Sequence, residues 1–234
     1  MDNQTFIQKL IEHALPHDPI MIKRTYQYLD LLFEWNQKMN LTAIDSLESA
    51  LDKHILDCLV PTTSVNMVGN IADIGSGAGF PGMVWAIYYP NCHVDLIEPT
   101  GKRCLFLETV QSTLGLTNVT VINKRSEACN YLREHYDIVT ARAVARLPLL
   151  LELCTPLLKV NGTMIALKGS SAMDELGEST YALSQLNMVY TNKIHYHCDD
   201  GGVHITLIFT KTASTPKEYP RNYSVMKKHP LVKS

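Results

Sequence analysis

The chain has 234 residues, 46% of them hydrophobic and 19% charged, and its formal net charge is −2. That length accommodates one well-buried α/β domain with a modest extension. The near balance of charge excludes a uniformly basic polyanion binder, and no stretch approaches the roughly 18 uninterrupted apolar residues of a membrane span.

Residues 1–62 read as a helical cap. Phe6, Ile7, Leu10, Ile11 and Ala14 recur at helical spacing until Pro16, and Tyr26, Leu29, Leu32, Phe33 and Met39 mark a second, longer helix with a wide apolar stripe. Ser46 and Ser49 precede a third helical run, Ala50 to Leu59, expected to stop before Pro61. A main domain over 63–211 follows, with strands expected at 70–74, 93–97, 119–122, 136–140 and 162–167 and amphipathic helices between them. This alternation specifies an open, mostly parallel, doubly wound sheet. Met188 to Tyr196 and Val203 to Lys211 flank Asp199-Asp200-Gly201-Gly202, the pattern of an antiparallel hairpin. A parallel sheet closed by such a hairpin is the plan of Rossmann-like class I methyltransferases. The tail, 212–234, is basic: from the strand's last residue onward Lys211, Lys217, Arg221, Lys227, Lys228 and Lys233 oppose a single acid, Glu218. It is either a solvated terminus or a phosphate-binding arm.

Cysteines 58, 92, 104, 129, 154 and 198 show no C-x-x-C or metal-ligand spacing, and the histidines form no H-E-x-x-H. Reduced, buried thiols and no metal are expected. Asp2, Asn3 and Gln4 do not begin a basic-then-apolar leader, so the expected location is the cytoplasm.

The most informative stretch is Ile71-Ala72-Asp73-Ile74-Gly75-Ser76-Gly77-Ala78-Gly79-Phe80-Pro81-Gly82. Clustered glycines suit a sharp strand-to-helix turn with a ligand against bare backbone. Gly77 to Gly82 satisfies G-x-G-x-x-G, the dinucleotide fingerprint. Asp73 points away from that choice, because a carboxylate at the strand end repels a pyrophosphate and attracts a cation. S-adenosylmethionine, a sulfonium without phosphate, fits better. Glu98, ending the second strand roughly 20 residues later, stands where an acid meets ribose hydroxyls in either cofactor class. An NAD(P)-dependent oxidoreductase sharing the glycine turn is the alternative. A non-catalytic RNA-binding module and a small-molecule methyltransferase are further rivals.

Motifs along the whole chain resemble one family, the bacterial small-subunit ribosomal RNA (guanine-N7)-methyltransferases, called RsmG or GidB. Trp35-Asn36-Gln37-Lys38-Met39-Asn40-Leu41-Thr42 is similar to its W-N-x-x-x-N-L-T, and His54-Ile55-Leu56-Asp57-Cys58-Leu59 to its H-x-x-D-S-L, with Cys58 in place of serine. The glycine turn, Lys102-Arg103, Arg125-Ser126-Glu127, Thr140 to Ala145 and Ala166-Leu167-Lys168-Gly169 follow in order. The tail departs from the family: Ser224-Val225-Met226 stands where a Gly-Thr-Pro turn is common.

The resemblance implies methyl transfer from S-adenosylmethionine to guanine N7 in 16S rRNA, whether as free rRNA or in a 30S-type particle; a monomer is expected, though no motif speaks to oligomeric state. The N7 lone pair carries no proton, so no general base is expected, and catalysis is mainly positioning. By motif match, Asp73, Gly75, Gly77, Phe80, Glu98, Ser126, Glu127 and Arg142 belong to the cofactor site. Glu98 would accept from ribose, and the amides of Ser126 and Glu127 would meet adenine. Arg142, at the fourth strand's end, could clamp a guanine edge or phosphate, or form an internal salt bridge. Arg142 and Lys168 are the positioning candidates. Arg125 and Lys168 form a basic rim or are simply solvated, and Arg221, Lys227 and Lys228 are the RNA contacts expected from the tail.

Overall fold

The computed structural model describes every residue except Asp45, Asp200 and Ser234. Asp2 caps helix α1 (Asn3–Glu12), accepting from the Thr5 amide at 2.8 Å. Asp18 caps α2 (Pro19–Met39), whose first position suits proline because no intrahelical partner awaits its missing N–H. Asn40, left-handed at φ 47, ends it.

The third helical run is not uniform. It opens as α3 (Leu47–Ala50), widens to a π-helix over Leu51–Leu56, and narrows again in α4 (Asp57–Leu59). Helical geometry then continues past the expected stop as a 3-10 segment, Val60–Ser64, because Pro61 falls in its first turn, where no backbone donor is missed.

Seven strands form one sheet in the order β3-β2-β1-β4-β5-β7-β6. They are β1 (Asn70–Ile74), β2 (His93–Ile97), β3 (Val119–Ile122), β4 (Tyr136–Arg142), β5 (Leu158–Lys168), β6 (Met188–His197) and β7 (Val203–Lys211). The first five pair in parallel, while β7 runs antiparallel to both β5 and β6. Strand β5 begins four residues before its expected start. It carries Asn161 at φ 66, and the β4–β5 register shifts between Tyr136 and Ile138, so Asn161-Gly162 reads as a turn although the strand continues through it. Asp200, part of the expected hairpin turn, lies outside the described residues.

Helices α5 (Gly82–Tyr88), α6 (Gly101–Leu114), α7 (Leu147–Cys154), α8 (Ala172–Glu178), α9 (Thr180–Gln185) and α10 (Tyr223–Lys228) complete the chain. One core joins α1 and α2 to α5, α6 and one sheet face through Phe6, Tyr28, Leu32, Trp85, Val94 and Phe106. A second, on the other face, joins α7 to the hairpin through Leu151, Met164, Leu207 and Phe209.

The C-terminal segment is docked, not solvated. Tyr219, Met226 and Leu231 are buried, and Arg133 donates to the carbonyls of Thr215, Pro216 and Tyr219. Lys211 is fully buried and donates to Glu134 Oε1 at 2.9 Å and to the carbonyls of Thr155 and Leu158, so it adds nothing to a basic surface. Among the described residues no helix is long and apolar enough to cross a membrane. All six cysteines are buried free thiols.

Candidate functional site

The turn after β1 is built for left-handed backbone, with Gly75, Gly77 and Gly79 at φ 68, 59 and 101. The Gly75 amide donates to Ile97 O at 2.8 Å and fastens the turn to the neighbouring strand. Both acids expected to face a ligand also hold this turn. Glu98 is 1% exposed; its Oε2 accepts from the Gly77 amide at 2.9 Å and its Oε1 from the Thr100 amide at 2.8 Å. Each oxygen keeps a further lone pair. Asp73 is fully buried and accepts from the Gly82 amide through Oδ2 at 3.0 Å, while its Oδ1 has no hydrogen-bond partner. Burial pushes this carboxyl up to about 7.

A two-lobed cradle lies over the turn, and Gly75 lines both lobes. One lobe, of about 190 Å³, is bounded by Leu41, Thr42, Gly77, Phe80, Arg103 and Arg142. The other, of about 90 Å³, is bounded by Ile97, Arg125, Ser126, Glu127, Leu153 and Tyr223. Ser126 opens a 3-10 turn, Ser126–Ala128, with Arg125 in the cap position before it. Leu41, Thr42 and Tyr223 were not among the expected site residues. The W-N-x-x-x-N-L-T motif held the signal for the first two: Asn36 Oδ1 accepts from the Thr42 amide at 2.9 Å and sets the segment against the cradle.

Beyond Arg142 and Ala143 lies a second pocket of about 430 Å³, lined also by Lys53, His54, Asp57, Lys168, Glu175 and His204. Arg142 is the wall between the two. Its guanidinium donates to Asp57 Oδ2 at 3.1 Å, to Lys53 O at 3.3 Å and to His54 Nδ1, and its centre lies 4.9 Å from the Phe80 ring centroid. The internal salt bridge is therefore present, and at 17% exposure the side chain lines both pockets all the same. Asp57 Oδ1 lies 2.9 Å from His204 Nδ1. Burial, with Arg142 next, pushes His54 down to about 3, so the imidazole is neutral near pH 7. Ala143 sits at φ 58, a strained backbone for an alanine at the junction of the pockets. The sequence reading missed His54, Asp57 and His204 as site residues, although the H-x-x-D motif carried the first two. His54, in the π-helical turn, and Asp57, the first residue of α4, stand three residues apart and both reach Arg142.

The expected basic rim is reorganised. Lys168 is 9% exposed, 2.7 Å from Glu175 Oε2, and donates to Ala145 O at 2.8 Å, so it lines the second pocket as one member of an ion pair. Arg125 is 59% exposed, with its guanidinium 5.1 Å from the Tyr223 ring centroid. Arg221 is not an exposed arm. Its Nε and Nη2 fork onto Glu152 at 2.8 and 2.7 Å because that carboxylate, on α7, is buried and needs a cation. Lys227 and Lys228 are exposed on the last turn of α10.

The cradle fits S-adenosylmethionine. Bare backbone at Gly75 and Gly77 admits close approach, and the two acids beneath the turn, one with an orphaned oxygen, suit a cation and oppose a pyrophosphate. The oxidoreductase alternative finds no support. The chain's one Tyr-x-x-x-Lys spacing, Tyr223 to Lys227, belongs to the short helix α10, where Lys227 is exposed.

The family model described as rRNA small subunit methyltransferase G (GidB) matches residues 21–200. Ribosomal RNA small subunit methyltransferase G of Bacillus subtilis is 37% identical over 99% of both chains. Its counterpart in Halalkalibacterium halodurans is 38% identical over 99% of this chain and 100% of that one. Among solved structures, a SAM-dependent methyltransferase from Aquifex aeolicus superposes with TM-score 0.56 at 14% identity, covering 74% of this chain and 97% of that one. A 16S rRNA (adenine(1408)-N(1))-methyltransferase from Catenulisporales acidiphilia gives 0.52 at 13% identity, covering 69% and 91%. These two bear out the Rossmann-like methyltransferase fold. With family motifs, cradle and near full-length relatives in agreement, the chain belongs to the rRNA small subunit methyltransferase G family.

Proposed function

We propose that the protein transfers a methyl group from S-adenosylmethionine to N7 of one guanine in small-subunit ribosomal RNA, acting as a cytoplasmic monomer on rRNA or a 30S-type particle. The observation that carries this reading is the shared wall at Arg142 and Ala143. It sets a pocket of about 430 Å³, roomy enough for a nucleobase and lined by the Arg142–Asp57 and Lys168–Glu175 pairs with Lys53, directly against the glycine cradle.

S-adenosylmethionine, when bound, supplies an electrophilic methyl on a positively charged sulfur. Gly75 and Gly77 leave room for it, Phe80 closes the methionine or ribose side, Glu98 offers its remaining lone pairs to ribose, and the amides of Ser126 and Glu127 receive the adenine edge. Asp73 sits beneath the turn with a carboxyl raised to about 7, and a sulfonium bound above it favours the ionised form. On the acceptor side, Arg142 has committed three of its N–H groups to Lys53, His54 and Asp57. Its guanidinium is thereby held rigid for the O6 edge of a guanine, and donation there offsets charge on O6 without taking a proton. Lys168 holds the far wall through Glu175. The N7 lone pair has no proton to lose, and His54, neutral and engaged by Arg142, is not needed as a base. Barrier lowering comes from orientation and exclusion of water.

The test is tritiated methyl transfer from S-adenosylmethionine to small subunits lacking their N7-methylguanine, followed by borohydride–aniline cleavage at the modified base. Label at a single cleavage site establishes cofactor, acceptor and target atom together. Label without cleavage would overturn the N7 assignment, and no transfer to subunits or rRNA would overturn the acceptor.

A further inference from the structure

We propose that the C-terminal segment is part of the cofactor site, with the Tyr223 ring forming the wall against which the adenine of S-adenosylmethionine lies. This rests on the cofactor reading above and deepens it. The segment's basic residues mark it for RNA, yet its only aromatic side chain on α10 lines the small lobe of the cradle beside Gly75, Ser126 and Glu127.

Three independent anchors hold the ring there. Arg221, two residues before it, forks onto the buried Glu152 of α7, and its backbone amide donates to the same carboxylate at 2.8 Å. Asn222 caps α10 by accepting from the Ser224 amide at 3.1 Å. Met226 and Leu231 are buried against the core, and Leu231 and Tyr219 join the apolar cluster that contains α7. From the other side, the Arg125 guanidinium packs on the ring at 5.1 Å.

The chemistry of the lobe selects its occupant. Ile97, Val144, Leu153 and the Tyr223 ring give it apolar walls, and the turn at Ser126–Ala128 brings backbone amides to its edge. A flat heteroaromatic ring with acceptor nitrogens on its rim satisfies both features, and stacking on an aromatic side chain is tolerant of the base's exact orientation. The tail thus serves cofactor binding through Tyr223, while Lys227 and Lys228 on the same helix remain exposed.

The test is calorimetric titration of the wild type, Tyr223→Ala, Tyr223→Phe and Lys227→Ala with S-adenosylhomocysteine and with adenosine, thermal midpoints being recorded in parallel. Tyr223→Ala should lose about tenfold or more in affinity for both ligands. Tyr223→Phe should stay within about twofold, since the ring is what matters, and Lys227→Ala should be unchanged. At a temperature well below both thermal midpoints, saturating S-adenosylhomocysteine should also slow tryptic cleavage after Lys227 and Lys228 in the wild type and in Tyr223→Phe and not in Tyr223→Ala. Wild-type affinity in Tyr223→Ala, or cleavage unaffected by ligand, would overturn the proposal and leave the cofactor reading standing. Failure of the wild type to bind S-adenosylhomocysteine would overturn the cofactor reading itself.

Discussion

Asp57 and Arg142 meet at 3.1 Å across the seam between the N-terminal helical run and the end of β4, and this pair forms the partition between the two pockets. The other oxygen of Asp57 faces His204 on β7 at 2.9 Å. One buried carboxylate therefore ties three distant parts of the chain together at the proposed acceptor pocket. The helical cap is in this sense a wall of the site, with His54 from its π-helical turn and Asp57 from the start of α4 both on Arg142.

Asp57→Asn keeps the shape and removes the charge, leaving the Arg142 guanidinium without its counterion. Breaking one side of a largely buried pair costs about 2 kcal/mol here, below the fully buried range because Arg142 is partly exposed. Thermal unfolding should show that loss. Single-turnover methyl transfer should fall by about tenfold or more as Arg142 loses its fixed orientation, with S-adenosylhomocysteine affinity nearly retained. Wild-type turnover in this variant would remove Arg142 positioning from the mechanism.

Two buried titratable groups act on acid stability with opposite signs. The Asp73 carboxyl, raised by burial from 3.8 to about 7, is protonated in the folded chain where the unfolded chain has already released its proton. Its contribution is complete below about pH 4 and is lost as pH rises through about 7. His54 is lowered from 6.5 to about 3, first by burial and then by Arg142. There the unfolded chain binds the extra proton, so that contribution is complete above about 6.5 and lost as pH falls toward 3. Asp73→Asn isolates the first. The unfolding free energy of the variant minus that of the wild type should climb with pH between about 4 and 7, by at most about 1.4 kcal/mol per unit, and level off above. A difference independent of pH would mean that Asp73 stays ionised throughout.

The strands around the glycine turn are legible because short apolar runs bounded by polar residues leave few other choices, and β1, β2, β3 and β7 fall at their expected positions. What the sequence conceals is pairing between distant side chains. Arg221 reads as a tail cation until Glu152, far earlier in the chain, is seen buried beneath it. Lys168 reads as rim until Glu175 closes on it. Glu98 and Asp73 are legible as acids at strand ends, but their hold on the Gly77 and Gly82 amides depends on a turn whose shape no spacing specifies. The π-helical turn is hidden for a similar reason, since its residues have ordinary helix propensities and tertiary packing selects the wider geometry.

The docked tail changes how its RNA role should be tested. Deleting residues 217–234 would strip Tyr219, Met226 and Leu231 from the core, so lost activity would report folding. Arg221→Ala should likewise destabilise, by about 2 to 3 kcal/mol, because it leaves the Glu152 carboxylate buried without its cation. Lys227→Ala with Lys228→Ala removes only exposed charge. Its thermal midpoint should match the wild type, and its affinity for small-subunit RNA should fall with a log–log salt slope shallower by about 2. An unchanged slope would show that these lysines do not meet phosphate.

Gly75 and Gly77 share left-handed backbone and differ in surroundings, which separates folding from ligand approach. At Gly75, φ 68, an added Cβ would meet Val144 Cγ2 at 2.7 Å, inside any tolerable contact. Gly75→Ala therefore combines a backbone penalty of roughly 1–2 kcal/mol with a clash, and should be clearly destabilised. At Gly77, φ 59, the nearest atom to an added Cβ is Gly75 O at 3.8 Å, so the backbone penalty stands alone. Gly77→Ala should fold, with a midpoint a few degrees below the wild type, since about 1 kcal/mol moves a chain of this length by roughly 2–4 °C. Its new methyl would stand in the cradle, where the proposed cofactor must approach bare backbone. Affinity for S-adenosylhomocysteine should then drop by about tenfold or more while the fold survives, as a steric loss of about 1.4 kcal/mol implies. Equal titration curves for Gly77→Ala and the wild type would place the ligand elsewhere.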